Sequence, residues 1–342
     1  MKKVTLLILA ISFSVFAGTG TDGMAFLKIK PSARATSIGD GFVAIADDVN
    51  ACFYNPAGLA QIDNPEVSLM HMMYVAETSY EYGAAAMPVG DNLRVGLFGV
   101  YLNYGSIATT TENSSGVYQS TTGSYSPSDI AFGLSLAYKL GDDLSLGINA
   151  KYAGETIDTS STSAILADIG ALTKIEGVNI GAAIYNLGGN IGNDKAPMTA
   201  RVGASYKFTV EKENDMTVAI GTGYTMASGQ VGVTAGGEYF YEDFLVMRAS
   251  YGMGYDLDSL NIGVGLRGNL EGMKAGIDYN FSMLGDLGSA HRVSLTVEFG
   301  DDTAYKGKGK KSTTTAPKMN KGNGNNTIQQ KPKSNLKYYY KK

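Results

Sequence analysis

Met273-Lys274-Ala275-Gly276-Ile277-Asp278-Tyr279-Asn280-Phe281 is the stretch on which the fold turns. Met273, Ala275, Ile277, Tyr279 and Phe281 alternate with Lys274, Gly276, Asp278 and Asn280. Successive side chains of a strand point to opposite faces, so this run has one apolar face and one small or polar face. Ile130, Phe132, Leu134, Leu136 and Tyr138 do the same against Ala131, Gly133, Ser135, Ala137 and Lys139. The pattern returns about fourteen times between Glu66 and Phe299. In a soluble sandwich the apolar faces meet in a core; in an outer-membrane barrel they face lipid and the polar faces line a lumen.

Composition separates the two. The chain holds 44 Gly and 22 Tyr, yet its mean hydropathy is only -0.06. Gly96, Gly133, Gly147, Gly181, Gly203, Gly263 and Gly265 fall at alternate positions, as expected of a lumen wall that packs nothing bulky. The chain has no Trp, so Tyr and Phe at the run ends must supply any aromatic girdle. These features favour a transmembrane antiparallel β-barrel.

The runs predict strands over 66–76, 79–88, 92–104, 128–139, 143–154, 163–173, 177–187, 198–208, 216–226, 230–240, 243–253, 258–270, 272–282 and 289–299. The connections 89–91, 140–142, 174–176, 241–242 and 271 are tight. By contrast 105–127, 155–162, 188–197 and 254–257 are long, as one end of an outer-membrane barrel requires. The connections 77–78 and 209–215 break this parity. An even strand count returns both ends of the barrel to the periplasmic side.

Outside the alternating region the chain reads differently. Met1-Lys2-Lys3 followed by the apolar run Val4 to Phe16 reads as a signal peptide over 1–17, too short to span a bilayer. Residues 301–342 carry 11 Lys and two Asp, a net of +9, while the remainder holds 17 basic and 30 acidic residues, a net of -13. Such a tail lacks the hydrophobicity to fold alone and is expected to be a disordered periplasmic polycation. Its basic cluster Lys306, Lys308, Lys310 and Lys311 would bind an acidic periplasmic polymer or protein. Residues 24–65 do not alternate, are apolar and rich in small residues, and precede the barrel, as a plug over 18–65 would. Asp48 is expected to cap a short helix that stops before Pro56.

The blocks Phe26-Leu27-Lys28-Ile29, Ala33-Arg34-Ala35, Gly39-Asp40-Gly41-Phe42-Val43-Ala44, Ala46-Asp47-Asp48 and Asn55-Pro56-Ala57-Gly58-Leu59-Ala60 resemble the PorV/PorQ family of outer-membrane proteins, which are similar to FadL-type transporters of hydrophobic compounds. The resemblance covers about 35 residues. It implies a barrel of fourteen strands over 66–300, an N-terminal hatch in its lumen over 18–65, and a hatch motif at Asn55, Pro56 and Ala57. Read without the resemblance, those three residues are a turn.

Arg94, Lys151, Arg201, Arg248, Arg267 and Lys274 alternate with lipid-facing positions and are candidates to line the lumen. They would attract an anionic headgroup or pair with acids such as Asp278 and Glu238. Chemistry is poorly supplied. His71 and His291 are the only histidines, Cys52 the only cysteine, and neither a hydrolase triad nor a metal site suggests itself. The expectation is a protein that is not an enzyme, with no cofactor and no nucleic-acid partner. Its environment is outer-membrane lipid, and its leading function is passage of hydrophobic or amphipathic small molecules through a plugged lumen. A secretion accessory that binds exported protein cargo, as PorV-like proteins imply, and a structural anchor of the outer membrane are the alternatives.

Overall fold

The computed structural model describes residues 22–188, 190–191, 194–211, 214–255 and 259–300. The expected signal peptide and basic tail lie outside these residues. The strands are β1 (Glu66–Met73), β2 (Ser79–Val89), β3 (Leu93–Asn103), β4 (Ile107–Glu112), β5 (Tyr118–Tyr125), β6 (Ser128–Lys139), β7 (Leu144–Ile157), β8 (Ser160–Ile175) and β9 (Val178–Gly188). They continue as β10 (Asn190–Ile191), β11 (Asp194–Lys195), β12 (Thr199–Glu211), β13 (Asn214–Thr225), β14 (Gln230–Tyr241), β15 (Leu245–Met253), β16 (Leu260–Leu270), β17 (Met273–Met283) and β18 (Ser289–Phe299). Fourteen of them close a barrel, each pairing with its neighbour in sequence, and β18 returns to β1 in register Leu69↔Leu295. The other four form two small hairpins, β4–β5 and β10–β11, set into connections at the long-loop end.

The alternation holds through most of the wall. Leu134, Ile165, Ile262 and Ile277 point outward and are more than half exposed, while Asp168, Asn261, Asp278 and Asn280 point inward and are buried. A closed ring leaves no sheet edge unpaired, so the backbone needs no water and the apolar exterior meets lipid. Exposed Tyr138, Tyr206, Tyr241 and Phe299 band the short-turn end, and Tyr101, Tyr224, Tyr251 and Tyr279 band the other. This is the girdle that Trp does not provide.

Three expectations about the strands change. The connection 155–162 is not a long loop, because β7 and β8 run on as a hairpin to Ile157 and Ser160. Within 105–127 the chain is not irregular but forms the β4–β5 hairpin, whose Ser/Thr-rich strands are exposed on both faces and so show no hydrophobic alternation. In part of β2 and β3 the sizes of the faces are reversed: Tyr80, Tyr82, Phe98 and Leu102 are buried inside, while Gly83, Ala85 and Gly99 fall on the outer face beside the exposed Leu97 and Tyr101.

The reversal has a reason, since the lumen here contains an apolar core. Helix α1 (Ala33–Ile38) packs against β14–β18, a 3-10 turn over Asp40–Ala44 against β9 and β12–β14, helix α2 (Ala51–Tyr54) against β3 and β6, and a 3-10 turn over Pro56–Gln61 against β3 and β6–β8. Phe53 meets the rings of Tyr82 and Phe98 edge-on at 6.2 and 6.0 Å, and Phe42 meets Tyr54 at 5.2 Å. Such aromatic pairs are each worth roughly 0.5–1.5 kcal/mol beyond the area they bury. Asn50, not Asp48, takes the N-cap position of α2, while Asp48 Oδ1 accepts the Asn50 N–H at 2.9 Å. The helix stops at Tyr54, before the Asn-Pro pair, as the chain chemistry requires.

The inward glycines fit around this segment. Gly181, Gly203 and Gly221 stand side by side across β9, β12 and β13. A Cβ at Gly181 would meet the Val43 carbonyl, one at Gly221 the backbone of Asp40 and Gly41, and one at Gly203 would lie 2.8 Å from Val43 Cγ1. Gly147 and Gly170, paired across β7 and β8, receive Pro56–Ala57 and Asn55 in the same way. Gly263 faces Ser37. The reading of the inward glycines as a wall with nothing bulky to pack is therefore corrected: Gly147 and Gly181 are small because the main chain of the inner segment lies directly on them, while Gly133 faces the Phe98 ring and Gly265 the side chains of Arg248 and Asp278.

Candidate functional site

Three polar groups join the inner segment to the wall. The largest is a chain of alternating charges. Arg34 of α1 reaches Asp47 and Asp48 at 2.7 and 2.8 Å and grips Glu238 of β14 with two bonds of 3.0 Å. Glu238 also accepts from Arg248 at 2.5 Å, Arg248 donates to Asp278 at 2.6 Å, and Arg267 reaches Asp278 at 2.9 Å. Glu238, Arg248 and Asp278 are buried. In so dry a site each charge depends on its neighbours, because an unpaired buried ion carries a large desolvation cost.

The second group is centred on Asp40. Its Oδ1 lies 3.2 Å from Lys30 Nζ and 3.3 Å from Arg201 Nε, and its Oδ2 accepts the Tyr255 hydroxyl. Burial opposes its ionisation, but Lys30, Arg201 and the tyrosine hydrogen bond outweigh it and hold the carboxyl low, at about 2. Arg201 also stacks over Tyr185, 5.0 Å from the ring centre.

The third group lies at a bulge between β8 and β9, where the register slips after Ala167. Asp168 there accepts from Lys151 at 2.7 Å, from Asn149 at 2.9 Å and from the Asn186 N–H at 2.8 Å. Asn149 extends the link to the segment through the Cys52 carbonyl at 2.7 Å.

Asn55 forms the turn that its sequence suggests and does more. Its Oδ1 accepts the Ala57 N–H at 3.2 Å, and its Nδ2 donates to the Val43 carbonyl at 2.8 Å and to Ala171 of β8 at 3.1 Å. Pro56 fixes the next residue over Gly147. The side chain of Asn55 thus ties together two turns of the segment and the wall.

All six lumen candidates face inward, but they do not form one cluster. Arg248 and Arg267 meet on Asp278; Arg201 joins Asp40; Lys151 pairs with Asp168. Lys274 reaches Glu298 at 3.1 Å near the short-turn end. Arg94 holds the end of the segment, donating to the Ile62 carbonyl at 2.6 Å and to the turn carbonyl of Asp91 at 3.0 Å. His71 and His291 lie on the outer face, the first 2.7 Å from Glu81 and the second 2.7 Å from the Tyr279 hydroxyl.

Above the segment, at the long-loop end, opens a cavity of about 570 Å³. Phe26, Ile29, Leu102 and Tyr104 give it apolar walls, and Lys30, Arg201 and Arg292 line it with positive charge. Arg292 is buried and held by neutral oxygens: the Lys30 carbonyl at 3.1 Å, Asn280 at 3.0 Å and Ser282 at 2.6 Å. An apolar slot with a few convergent cations suits an amphiphile that carries an anionic end. Lys30, Asp40, Arg292 and Tyr255 were not among the sequence candidates. Lys30 and Asp40 belong to the non-alternating segment and Tyr255 to a loop, so no periodicity marked them; Arg292 alone sits in an alternating run that could have pointed to it.

Residues 17–173 match a family described as an uncharacterised protein family (UPF0164). No curated protein matches the chain. Among solved structures the chain is similar to the toluene transporter TodX of Pseudomonas putida, with 11% identity over 72% of this chain and 92% of that one and a TM-score of 0.52. It is also similar to the toluene transporter TbuX of Ralstonia pickettii, with 12% identity over 73% of this chain and 92% of that one and a TM-score of 0.50. At this identity the likeness is one of fold.

Proposed function

We propose that the protein is an outer-membrane channel for hydrophobic or amphipathic small molecules, with residues 24–62 as its hatch. The observation that carries this reading is the cavity at the long-loop end, apolar in its walls and cationic in its lining, set directly over a segment that occupies the lumen. The fold shared with toluene transporters and the PorV/PorQ-like blocks of residues 26–60 support it. In this reading a molecule enters among the long loops, rests its polar end near Lys30, Arg201 and Arg292, and passes inward when the segment shifts. The motif Asn55-Pro56-Ala57 holds the hatch closed through its bonds to Val43 and β8.

The test is flux into proteoliposomes. The intact barrel should take up a medium-chain alkyl carboxylate faster than the alcohol of the same chain, and Lys30→Ala should reduce that discrimination. In planar bilayers, deletion of residues 24–60 should give larger and less selective conductance. Equal conductance with and without the segment would remove its role as a hatch, and no uptake of either probe by the intact barrel would remove the channel.

A further inference from the structure

The outer wall has a gap of its own. Across β18, β1, β2, β3 and β6 the outward residues fall in cross-strand rows. One row reads Val293, His71, Glu81, Tyr101, Ile130, and the next Leu295, Leu69, Gly83, Gly99, Phe132. Gly83 and Gly99 pair directly, and together they leave a depression of about 730 Å³ between Leu69 and Phe132. The cause is the reversal described above: around Gly83 and Gly99, β2 and β3 turn Tyr82, Phe98 and Val100 to the luminal core and glycine to the outside. One border of the depression is polar. His71 Nδ1 lies 2.7 Å from Glu81 Oε1, with both side chains about half exposed, and Tyr101 stands beside them. His71 is two residues from the end of β1, about 7 Å from the rim at strand rise, level with Tyr101 of the aromatic band.

We infer that this depression is a binding site for one phospholipid with a zwitterionic headgroup. An acyl chain fills the space over Gly83 and Gly99, the Tyr101 hydroxyl donates to the phosphate, and Glu81, held by His71, accepts from the ammonium group. The occupant follows from place and charge. The surface is lipid-facing, so what fills the gap comes from the bilayer. The polar border offers the Tyr101 hydroxyl and the Glu81 carboxylate on directly paired residues, complementary to a phosphate and an ammonium group on one molecule. The inference rests on the transmembrane barrel and is independent of whether the lumen conducts.

The test is native mass spectrometry of the full-length protein from mixed micelles of mild detergent with equal phosphatidylethanolamine and phosphatidylglycerol. The wild type should retain one phosphatidylethanolamine, preferred roughly fivefold over phosphatidylglycerol, as suits an exposed charge contact. Gly99→Leu should lose the retained lipid while still folding. A Cβ there makes only ordinary contact, 3.4 Å from the Phe132 ring, so the new side chain enters the gap rather than straining the wall. Glu81→Gln should keep a lipid but lose the preference, and the outward control Val264→Leu should change neither. No retained lipid in the wild type, equal retention in Gly99→Leu, or a preference for phosphatidylglycerol would each overturn the site as stated.

Discussion

The two faces of the barrel wall use glycine for opposite ends. On the inner face Gly147, Gly181 and Gly221 leave room for the main chain of another segment, and a methyl group at any of them would strike it. On the outer face Gly83 and Gly99 meet only the edges of Leu69 and Phe132, at 3.4 Å each. Charge divides in the same way. Glu238 and Asp278 are wrapped in guanidinium groups inside, whereas the outer pair His71–Glu81 is half exposed. The lesson is that small and polar positions in a membrane barrel do not by themselves mean an open pore; here they record what the lumen holds.

That contrast can be broken by substitution, and the effects should descend in order. Glu238→Gln deprives Arg34 and Arg248 of their shared carboxylate, and a buried pair broken on one side costs roughly 3–5 kcal/mol. Denaturant unfolding in detergent should show that loss. Next comes Ile277→Arg on the lipid face, which should cost about 2–4 kcal/mol if the position lies near the midplane; an unchanged unfolding midpoint would place that position away from the bilayer core. Gly221→Ala should cost about 1–3 kcal/mol by overpacking the segment, while Gly83→Ala outside should be close to neutral. Equal costs for the two glycines would erase the distinction between the faces. Last, Lys274→Ala removes a part-exposed pair near the short-turn end and should cost less than about 1 kcal/mol.

The barrel was legible because its determinant is local. A period of two, read along Met273–Phe281 or Ile130–Tyr138, needs no knowledge of distant residues, and the turns at 89–91 and 140–142 confirmed the parity. Gly263 reads in the sequence as one of the lumen-wall glycines with nothing bulky to pack, yet Ser37 lies against it. Nothing in the sequence near Gly263 refers to Ser37, more than two hundred residues away. The cavity was hidden for the same reason. Lys30, Asp40, Arg201 and Tyr255 come from a helical segment, a strand and a loop, and only closure of the barrel brings them together. Asp278 and Glu238 were foreseeable as acidic partners because each sits at an inward position of a clear strand; Arg34, which clamps Glu238, does not.

The seam between β1 and β18 carries a consequence for the order of assembly. These strands stand at opposite ends of the barrel sequence, so their pairing closes the longest loop in the wall and bears the largest closure entropy. A segment already lying on the glycines of both sides before that seam shuts would serve the growing sheet as a mandrel that sets its curvature. Barrels lacking residues 24–60 should accordingly close more slowly in a stopped-flow refolding experiment into micelles. Closure at the intact rate would mean that the sheet curves without it.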